Sequence, residues 1–339
     1  MTFLKNSNLI ISGGLEIEDF DDQADGTSDV ELRPLVFGAL QHGSRLDRAL
    51  VELVPEFSRS YLQQLIELDG VKINGVPVSK ASTRVKASDR GSIELRPTPQ
   101  SQAFKPEAMA LDIVYEDAQL IVVNKPVGLV VHPAPGNWSG TLLNGLLAYD
   151  AAFLTMPRAG IVHRLDKDTS GLMVVAKTRG TMDALIKAIA AREVGRKYLA
   201  LANRAWVGAR SVEINQPIGR DPRNRLRMAV VDLSKNQGKL AKTEVELLQN
   251  CDQGCLVRCT LHTGRTHQIR VHMAFIDHPL VADEVYAGKK AAGMQRQALH
   301  AYRLAFAHPE THQLMEFTSQ VPEDFRSALA DWGLSYNGL

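Results

Sequence analysis

The sequence has little of what marks secreted or membrane proteins. Only three of its 339 residues are cysteines, which excludes a disulfide scaffold and makes a reducing cytoplasm the expected location. No run reaches the roughly 18 uncharged apolar residues that a membrane helix needs, and residues 1–12 lack the layout of a signal peptide. We therefore expect a soluble cytoplasmic protein that does not contact a membrane.

Motifs for nucleotides and metals are also missing. The sequence contains neither G-x-x-x-x-G-K-[ST] nor G-x-G-x-x-G, and H-E-x-x-H is absent. Cys251, Cys255 and Cys259 are spaced by four residues, which fits neither a zinc pair nor an iron–sulfur run. On a continuous strand they would share one face, so buried free thiols are the prediction. We expect no metal and no cofactor.

Charge is unevenly distributed along the chain. The net charge of +1 divides into −7 for residues 1–32, which hold eight acidic residues and one lysine, and +8 for the remainder. Residues 1–32 lack periodicity, and we interpret them as a flexible acidic arm. The basic remainder suits a polyanionic partner. On charge alone, an evenly solvated mixed surface stays an open alternative.

Residues 33–97 have the pattern of a small α+β domain. Apolar spacing predicts a helix over residues 44–54 with Ser44 as its N-cap, and a second helix from the cap Ser58 to a stop at Gly70. The Asn74-Gly75 pair within VKINGVPV predicts a hairpin, and GSIELRP a closing strand. Several basic residues lie outside the apolar stripes and could contact a phosphate backbone. They are Arg45, Arg48, Arg59, Lys72, Arg84 and Lys86.

A proline-rich linker over residues 98–107 is expected to lead into a larger domain over residues 108–330, followed by a C-terminal tail over residues 331–339. The larger domain is rich in strand patterns, and residues 181–194 have the spacing of an amphipathic helix. The strand candidates are QLIVVNKP, GLMVVAK, RKYLALA, KTEVELL, CLVRCTL and MEFTS. They do not alternate regularly with helices, so a mixed, largely antiparallel sheet with flanking helices is predicted.

The segment HRLDKDTSG (163–171) precedes a buried strand pattern at residues 172–176, which places it on a loop. Arg164 and Lys167 would favour the ionised form of Asp166. Such a carboxylate can act as a nucleophile or as an electrostatic stabiliser. Asp168 is the alternative carboxylate, and a purely structural ion pair of Asp166 also stays open.

The segment TGRTHQIRVH (263–272) concentrates basic residues and histidines. If Thr266 caps a helix there, His267 and Arg270 share one face and could hold a carboxylate or a phosphate. Its histidines have no carboxylate or cysteine at zinc-like spacing. Tyr198 of RKYLAL is placed on a strand, where it is either a site residue or an ordinary half-buried aromatic.

These segments in this order resemble one family. LIVVNKPVGLVVHPAPG, GIVHRLDKDTSGLMVVAKT, RKYLAL, LHTGRTHQIRVHMAFIDHPLVAD and RQALHAYRLAF are similar to the RluA-type pseudouridine synthases over residues 108–330. SRLDRAL and VKINGVPV in residues 44–90 look like the S4 RNA-binding domain that precedes this catalytic domain in part of the family. HPAPGN together with HRLDKDTSGLMVVAKT is most similar to the RluD-type subgroup, which modifies a stem-loop of large-subunit ribosomal RNA.

The resemblance implies an enzyme that isomerises uridine without a cofactor. It implies that Asp166 is the catalytic carboxylate, that Tyr198 lies against the target base and that Arg270 forms an ion pair with Asp166. Further substrate contacts are expected from Arg164, which displaces the flipped nucleotide, from Ile269 in an aliphatic pocket, and from His163, Thr169, Arg265 and His267. Arg45, Arg48, Arg59 and Lys72 are the expected RNA contacts of the S4 domain.

The implied partner is 23S ribosomal RNA or a precursor ribosomal particle, bound by a monomer. Transfer RNA is the alternative substrate. Two other functions also stay open, an assembly factor that binds RNA without catalysis and a hydrolase that uses Asp166. The intact set of Asp166, Tyr198 and Arg270 argues against the first, and the shortage of a second carboxylate to activate water argues against the second.

Overall fold

The computed structural model describes residues 31–55, 57, 59–95, 103–134 and 136–336. Two compact units divide the chain, one within residues 1–98 and one within residues 99–339. The predicted acidic arm lies outside the described residues except for Glu31 and Leu32, which begin the first strand. Among the described residues, no helix combines the length and apolarity needed to cross a bilayer.

The first unit is a four-stranded antiparallel sheet with two helices. Its strands run in the order β1-β4-β2-β3, and the helices α1 and α2 pack Leu46, Leu50, Leu62 and Ile66 against Ile93 of the sheet. The element bounds are β1 Glu31–Val36, α1 Leu46–Leu53, α2 Arg59–Glu67, β2 Val71–Ile73, β3 Val76–Pro77 and β4 Arg90–Leu95, with a 3-10 turn at Ala39–Gln41.

The local signals of this unit are met in part. Asn74 and Gly75 both have positive φ, at 51° and 81°, as a type I′ hairpin requires, so the predicted hairpin is confirmed. The prediction of Ser44 as N-cap is wrong. Arg45 holds that position without a side-chain cap, because the backbone of Ser44 is already bonded to Gln41 and Val85.

The C-terminus of α2 also differs from the prediction in detail. Asp69, at φ 56°, adopts the left-handed conformation that ends the helix, and the N–H of Gly70 then donates to the Leu65 carbonyl at 2.8 Å. A Cβ on Gly70 would approach that same carbonyl oxygen to 3.0 Å. The glycine therefore provides room for the chain reversal, and the neighbouring aspartate provides the positive φ.

The second unit is built on a nine-stranded sheet with helices on both faces. Its strands are β5 Ile113–Glu116, β6 Leu120–Lys125, β7 Ser170–Ala176, β8 Gly195–Asn203, β9 Ser211–Asn215, β10 Ile218–Asp221, β11 Asn224–Val230, β12 Lys242–Asn250, β13 Gly254–Leu261, β14 Leu299–Ala307 and β15 Leu314–Thr318. The α-helices are α3 Leu142–Tyr149, α4 Arg179–Ala191, α5 Gln268–Phe275 and α6 Glu323–Asp331, and 3-10 turns lie at Ala151–Thr155, Pro157–Gly160 and Glu284–Tyr286.

The sheet has the order β5-β6-β7-β14-β8-β13-β12-β9, and β15 pairs with β14. Only the pair β7–β14 is parallel among these strands. Strands β10 and β11 form a separate antiparallel hairpin. The prediction of a mixed, largely antiparallel sheet is therefore confirmed for the part of the chain that the structure describes.

Successive side chains of the central strands point to opposite faces of the sheet, so each face has its own apolar core. On β7, Met173 and Val175 face a core that includes α3 and α5, whereas Leu172 and Val174 face a core that includes α4. A third cluster packs α6 against the sheet and extends to Trp332 and Leu334, so part of the expected C-terminal tail belongs to the core. Cys255 and Cys259 are buried free thiols on β13, as predicted, whereas Cys251 precedes the strand.

Candidate active site

The loop that carries Asp166 ends at the only parallel junction found in the described sheet. Strand β7 begins at Ser170, whose Oγ lies 2.9 Å from Nδ1 of His300 on β14. Next to it, Gly171 has φ 113°, and a Cβ there would come within 2.2 Å of the Ala301 carbonyl oxygen. The two strands can approach this closely only because residue 171 is a glycine. This contact fixes where the loop 163–169 leaves the sheet.

The buried Lys125 holds the same loop in place through hydrogen bonds to backbone carbonyls. The ammonium group of Lys125, 1% exposed, donates to the carbonyls of Pro126, Leu129 and Lys167 at 2.8, 2.9 and 2.9 Å. Burial lowers the pKa of Lys125 to about 7, although the charges of Asp168 and Asp166 oppose this shift. This residue was not predicted from the sequence, although its NKP segment follows a strand of continuous apolar character.

Asp166 lies in a row of three charges with Arg270 and Asp283. Nη1 of Arg270 donates to Oδ2 of Asp166 at 3.1 Å, while Nε and Nη2 donate to the two oxygens of Asp283 at 2.7 and 2.8 Å. The Asp283 side chain is fully buried, that of Arg270 is 7% exposed and that of Asp166 is 17% exposed. Burial opposes the charge on Arg270, but Asp283 and Asp166 raise its pKa above the ordinary value.

His267 approaches the other oxygen of Asp166. Its Nε2 lies 3.9 Å from Oδ1 of Asp166, and its Nδ1 lies 2.8 Å from Oη of Tyr286. The same Oη accepts a hydrogen bond from the N–H of Met228 at 3.1 Å. Burial lowers the pKa of His267, which favours a neutral ring. The prediction that Thr266 caps this helix is wrong, because His267 itself is the N-cap residue and has φ 55°.

Aromatic and aliphatic side chains form the rest of the cleft around Asp166. Tyr198 on β8 and Ile269 on α5 are 5% and 3% exposed, and Leu165, Leu261 and Leu299 lie beside them. Burial raises the pKa of Tyr198 to about 12, so its phenol stays protonated at neutral pH. The cleft therefore combines this apolar surface with the carboxylate of Asp166 and the guanidinium of Arg270.

The remaining predicted substrate residues are divided between the cleft and its surroundings. Arg164, Thr169 and Arg265 line the cleft together with His267. Arg164 is exposed, and Nε of Arg265 donates to the Leu240 carbonyl at 3.1 Å. His163 does not line it. Its Nε2 instead accepts from the N–H of Val174 on β7 at 3.2 Å.

The basic residues of the first unit differ in how freely they can bind a partner. Arg45 and Arg59 both donate to Asp47, at 3.1 and 2.7 Å, and Asp47 is fully buried. Lys72 lies 3.9 Å from Glu94, whereas the exposed Arg48 forms no ion pair with a described residue. Burial opposes ionisation of Asp47, but hydrogen bonds from Arg45, Arg59 and Gln63 hold its pKa well below the usual range.

The described residues contain no group of three or more histidine, cysteine, aspartate or glutamate side chains that could hold a metal ion.

Comparison with known proteins gives the site its context. The model of the RNA pseudouridylate synthase family matches residues 119–275, and the S4 domain model matches residues 44–90. A protein named ribosomal large subunit pseudouridine synthase D from Neisseria meningitidis serogroup B is 48% identical over 300 residues, which cover 85% of this chain and 78% of that protein.

The chain belongs to the RNA pseudouridylate synthase family. A protein of the same printed name from Xylella fastidiosa is 44% identical over 301 residues, or 85% of this chain and 88% of that protein. Among solved structures, human RNA pseudouridylate synthase domain containing 4 superimposes with a TM-score of 0.53 at 25% identity, covering 66% of this chain and 94% of that one. Human domain containing 1 gives 0.52 at 27%, covering 67% and 90%.

As a pseudouridine synthase, the protein is an isomerase that acts on RNA, and residues 44–90 are an S4 domain. The resemblance inferred from the sequence is thereby confirmed. Three residues that lie around Asp166 in the site were not predicted from the sequence, namely Lys125, Asp283 and Tyr286. Asp283 and Tyr286 lie within or just after the segment LHTGRTHQIRVHMAFIDHPLVAD, but nothing in the pattern indicates that they turn back toward the cleft.

Proposed function

We propose that the protein converts uridines in a stem-loop of 23S ribosomal RNA into pseudouridine, with Asp166 as the catalytic carboxylate. The printed names of its relatives support large-subunit ribosomal RNA as the substrate. The observation that carries the role of Asp166 is its position in the cleft. Arg270 holds one carboxylate oxygen at 3.1 Å, and the side chain remains partly exposed beside Tyr198.

The reaction breaks the N1–C1′ bond, rotates the uracil and joins C5 to C1′, after which the C5 proton leaves. No electron is transferred in this sequence of steps. Asp166 either attacks C1′ or removes a sugar proton to give a glycal, and both routes need an ionised carboxylate. The positive charge of Arg270 favours that ionised form and orients it.

A uracil base can reach this carboxylate only when it leaves its stack. Tyr198, Ile269 and Leu165 supply apolar surface in the cleft, against which one planar ring can pack. We propose that the exposed Arg164 takes the place of the displaced nucleotide and that Thr169, Arg265 and His267 contact the substrate. His163 is assigned a different role from the one expected, as a support for β7 through its bond to Val174.

The S4 domain supplies a second set of RNA contacts in this proposal. Arg48 is exposed and forms no ion pair with a described residue, so it can bind phosphate without breaking an internal contact. Arg45, Arg59 and Lys72 keep large exposed fractions of their side chains, at 47, 57 and 46%, in spite of their ion pairs. Each can therefore still present a charge to the RNA backbone.

Tritium release from 23S transcripts that carry 5-tritiated uridine tests this function, because the C5 hydrogen leaves only if C5 is joined to the sugar. We expect release by the wild type and a loss of about a thousandfold or more in Asp166→Asn. Asp168→Asn is the matched control, and we expect it to stay within about tenfold of wild type. Tritium release by the wild type from transfer RNA but not from 23S RNA would mean that transfer RNA, and not 23S RNA, is the substrate. Release by Asp166→Asn at the wild-type rate would contradict the role of Asp166.

A further inference from the structure

Arg196 is a buried cation whose side chain has no hydrogen-bond or ion-pair partner among the described residues. It lies on β8 two residues before Tyr198 and is 5% exposed. Its backbone belongs to the β8–β14 ladder, but its buried Nε has no hydrogen-bond partner among the described residues. Among the described residues, three buried side-chain nitrogen or oxygen atoms lack a hydrogen-bond partner, and two of them are Nε of Arg196 and Nδ1 of His163.

The surrounding backbone is shaped to admit this guanidinium. A Cβ on Gly264 would lie 2.8 Å from Nη1 of Arg196. The φ of Gly264 lies outside the left-handed range, so the glycine is explained by space and not by backbone conformation. Arg196 therefore packs beneath the loop that carries Arg265 and His267 to the cleft. Side chains two apart on a strand share a face, so Arg196 lies about 7 Å from Tyr198 along β8.

Two other buried arginines of this unit are fully engaged. Arg270 bonds to Asp166 and Asp283. Arg296 bonds to both oxygens of Asp324 and to the carbonyl of Asp168. Burying a charge without a partner is unfavourable, and proteins generally avoid it by pairing the charge. An unpaired guanidinium next to an RNA-binding cleft therefore indicates an anion that arrives with the substrate.

We propose that Arg196 binds a backbone phosphodiester of the substrate RNA beside the flipped nucleotide. This inference rests on the proposed function. The guanidinium matches a phosphate in shape and in charge. When the base packs against Tyr198, the sugar of that nucleotide extends along β8 toward Arg196. The phosphate attached to this sugar can then reach the guanidinium. The RNA then supplies the partner that Arg196 lacks among the described residues. Binding at the cleft favours a nucleotide whose backbone phosphate lies close to β8.

Three variants separate this role from a structural one. Arg196→Gln removes the charge, Arg196→Lys keeps it, and Lys197→Gln removes a neighbouring charge whose side chain lies on the opposite face of β8. For each variant, the dissociation constant for a 23S transcript is measured at several salt concentrations. In Arg196→Gln we expect binding about tenfold weaker and a slope of log affinity against log salt smaller by about 0.7–0.9. Arg196→Lys and Lys197→Gln are expected to keep the wild-type slope.

Thermal unfolding provides the second measurement. Removing an unpaired buried charge should leave Tm unchanged or raise it, whereas removing a structural cation should lower it. Arg196→Gln with a lowered Tm and an unchanged slope would overturn the proposal, and so would failure of this variant to fold while Arg196→Lys folds. The binding experiment needs no catalysis. If the wild type releases no tritium, the proposed function is refuted. The salt slope of RNA binding would still decide whether Arg196 contacts a phosphate.

Discussion

At the scale of single residues, the site is organised by how Arg270 divides its donors. Two of them, Nε and Nη2, bind the fully buried Asp283 in a bidentate pair, and only Nη1 reaches Asp166. Bidentate guanidinium–carboxylate pairs are strong and geometrically specific. Asp283 therefore fixes the plane of the guanidinium and balances its charge, so Asp166 receives one oriented hydrogen bond and keeps its second oxygen for the cleft.

This division predicts that Asp283→Asn damages both stability and catalysis. Breaking a buried ion pair from one side leaves Arg270 partly uncompensated, and we expect the free energy of unfolding to fall by about 3–5 kcal/mol. Denaturant unfolding measures this change, and tritium release reports the accompanying loss of activity. Glu284→Gln is the matched control, because Glu284 is the next residue, has a side chain that is 70% exposed and pairs with Lys290 on the surface. Wild-type stability and activity in Asp283→Asn would contradict this account of Arg270.

At the scale of elements, sequence patterns predicted what depends on near neighbours. The buried strand at residues 172–176, the Asn74-Gly75 hairpin and the loop position of Asp166 each follow from residues within one segment. The contact between Asp166 and Arg270 joins residues 104 apart, and only the family resemblance indicated it. Asp283, Tyr286 and Lys125 were missed because their partners are set by tertiary packing.

The charge pattern of the S4 helices had a similar limit. It correctly placed basic residues outside the apolar stripes, but it could not reveal that Arg45 and Arg59 are both bound to Asp47. From the sequence alone, Asp47 in SRLDRAL would be placed on the polar face of its helix. Its burial between α1 and α2 becomes visible only when the second helix delivers Arg59 and Gln63 to it.

This network predicts that Arg48→Ala and Arg59→Ala differ. Arg48→Ala should reduce RNA affinity and the salt slope, with stability within about 0.5 kcal/mol of wild type. Arg59→Ala should also increase amide exchange in α1 and α2, because Asp47 loses a partner. The lowered pKa of Asp47 stabilises the fold above its unfolded pKa of about 3.9, and this contribution is lost as pH falls below that value. The exchange difference between wild type and Arg59→Ala should therefore shrink on acidification. Equal exchange at neutral pH would contradict the role of Asp47.

At the scale of the whole molecule, two compact units contribute in different ways to one task. Residues 33–98 carry a net charge of +3 and residues 99–339 a net charge of +5. Each unit has its own apolar core, with the cluster around Leu46 and Ile93 in the first and the clusters on both faces of the nine-stranded sheet in the second. Every residue that we place around the reacting uridine belongs to the second unit. In the proposed function, both units contribute charge to RNA binding, whereas the chemistry belongs to the second unit alone.

This separation predicts the behaviour of a chain reduced to residues 99–339. Because the apolar clusters described for this unit consist of its own residues, we expect it to unfold cooperatively with a Tm close to that of the same unit in the full chain. At saturating 23S RNA it should release tritium at a rate within about tenfold of the full chain. Its KM should rise and its salt slope should fall, because the S4 contacts are lost. The same truncation carrying Asp166→Asn is the blank for tritium release. If the truncated chain folds but has a severely reduced kcat at saturating RNA, the first unit takes part in assembling the catalytic site. If its KM and salt slope equal those of the full chain, the S4 domain does not bind this RNA.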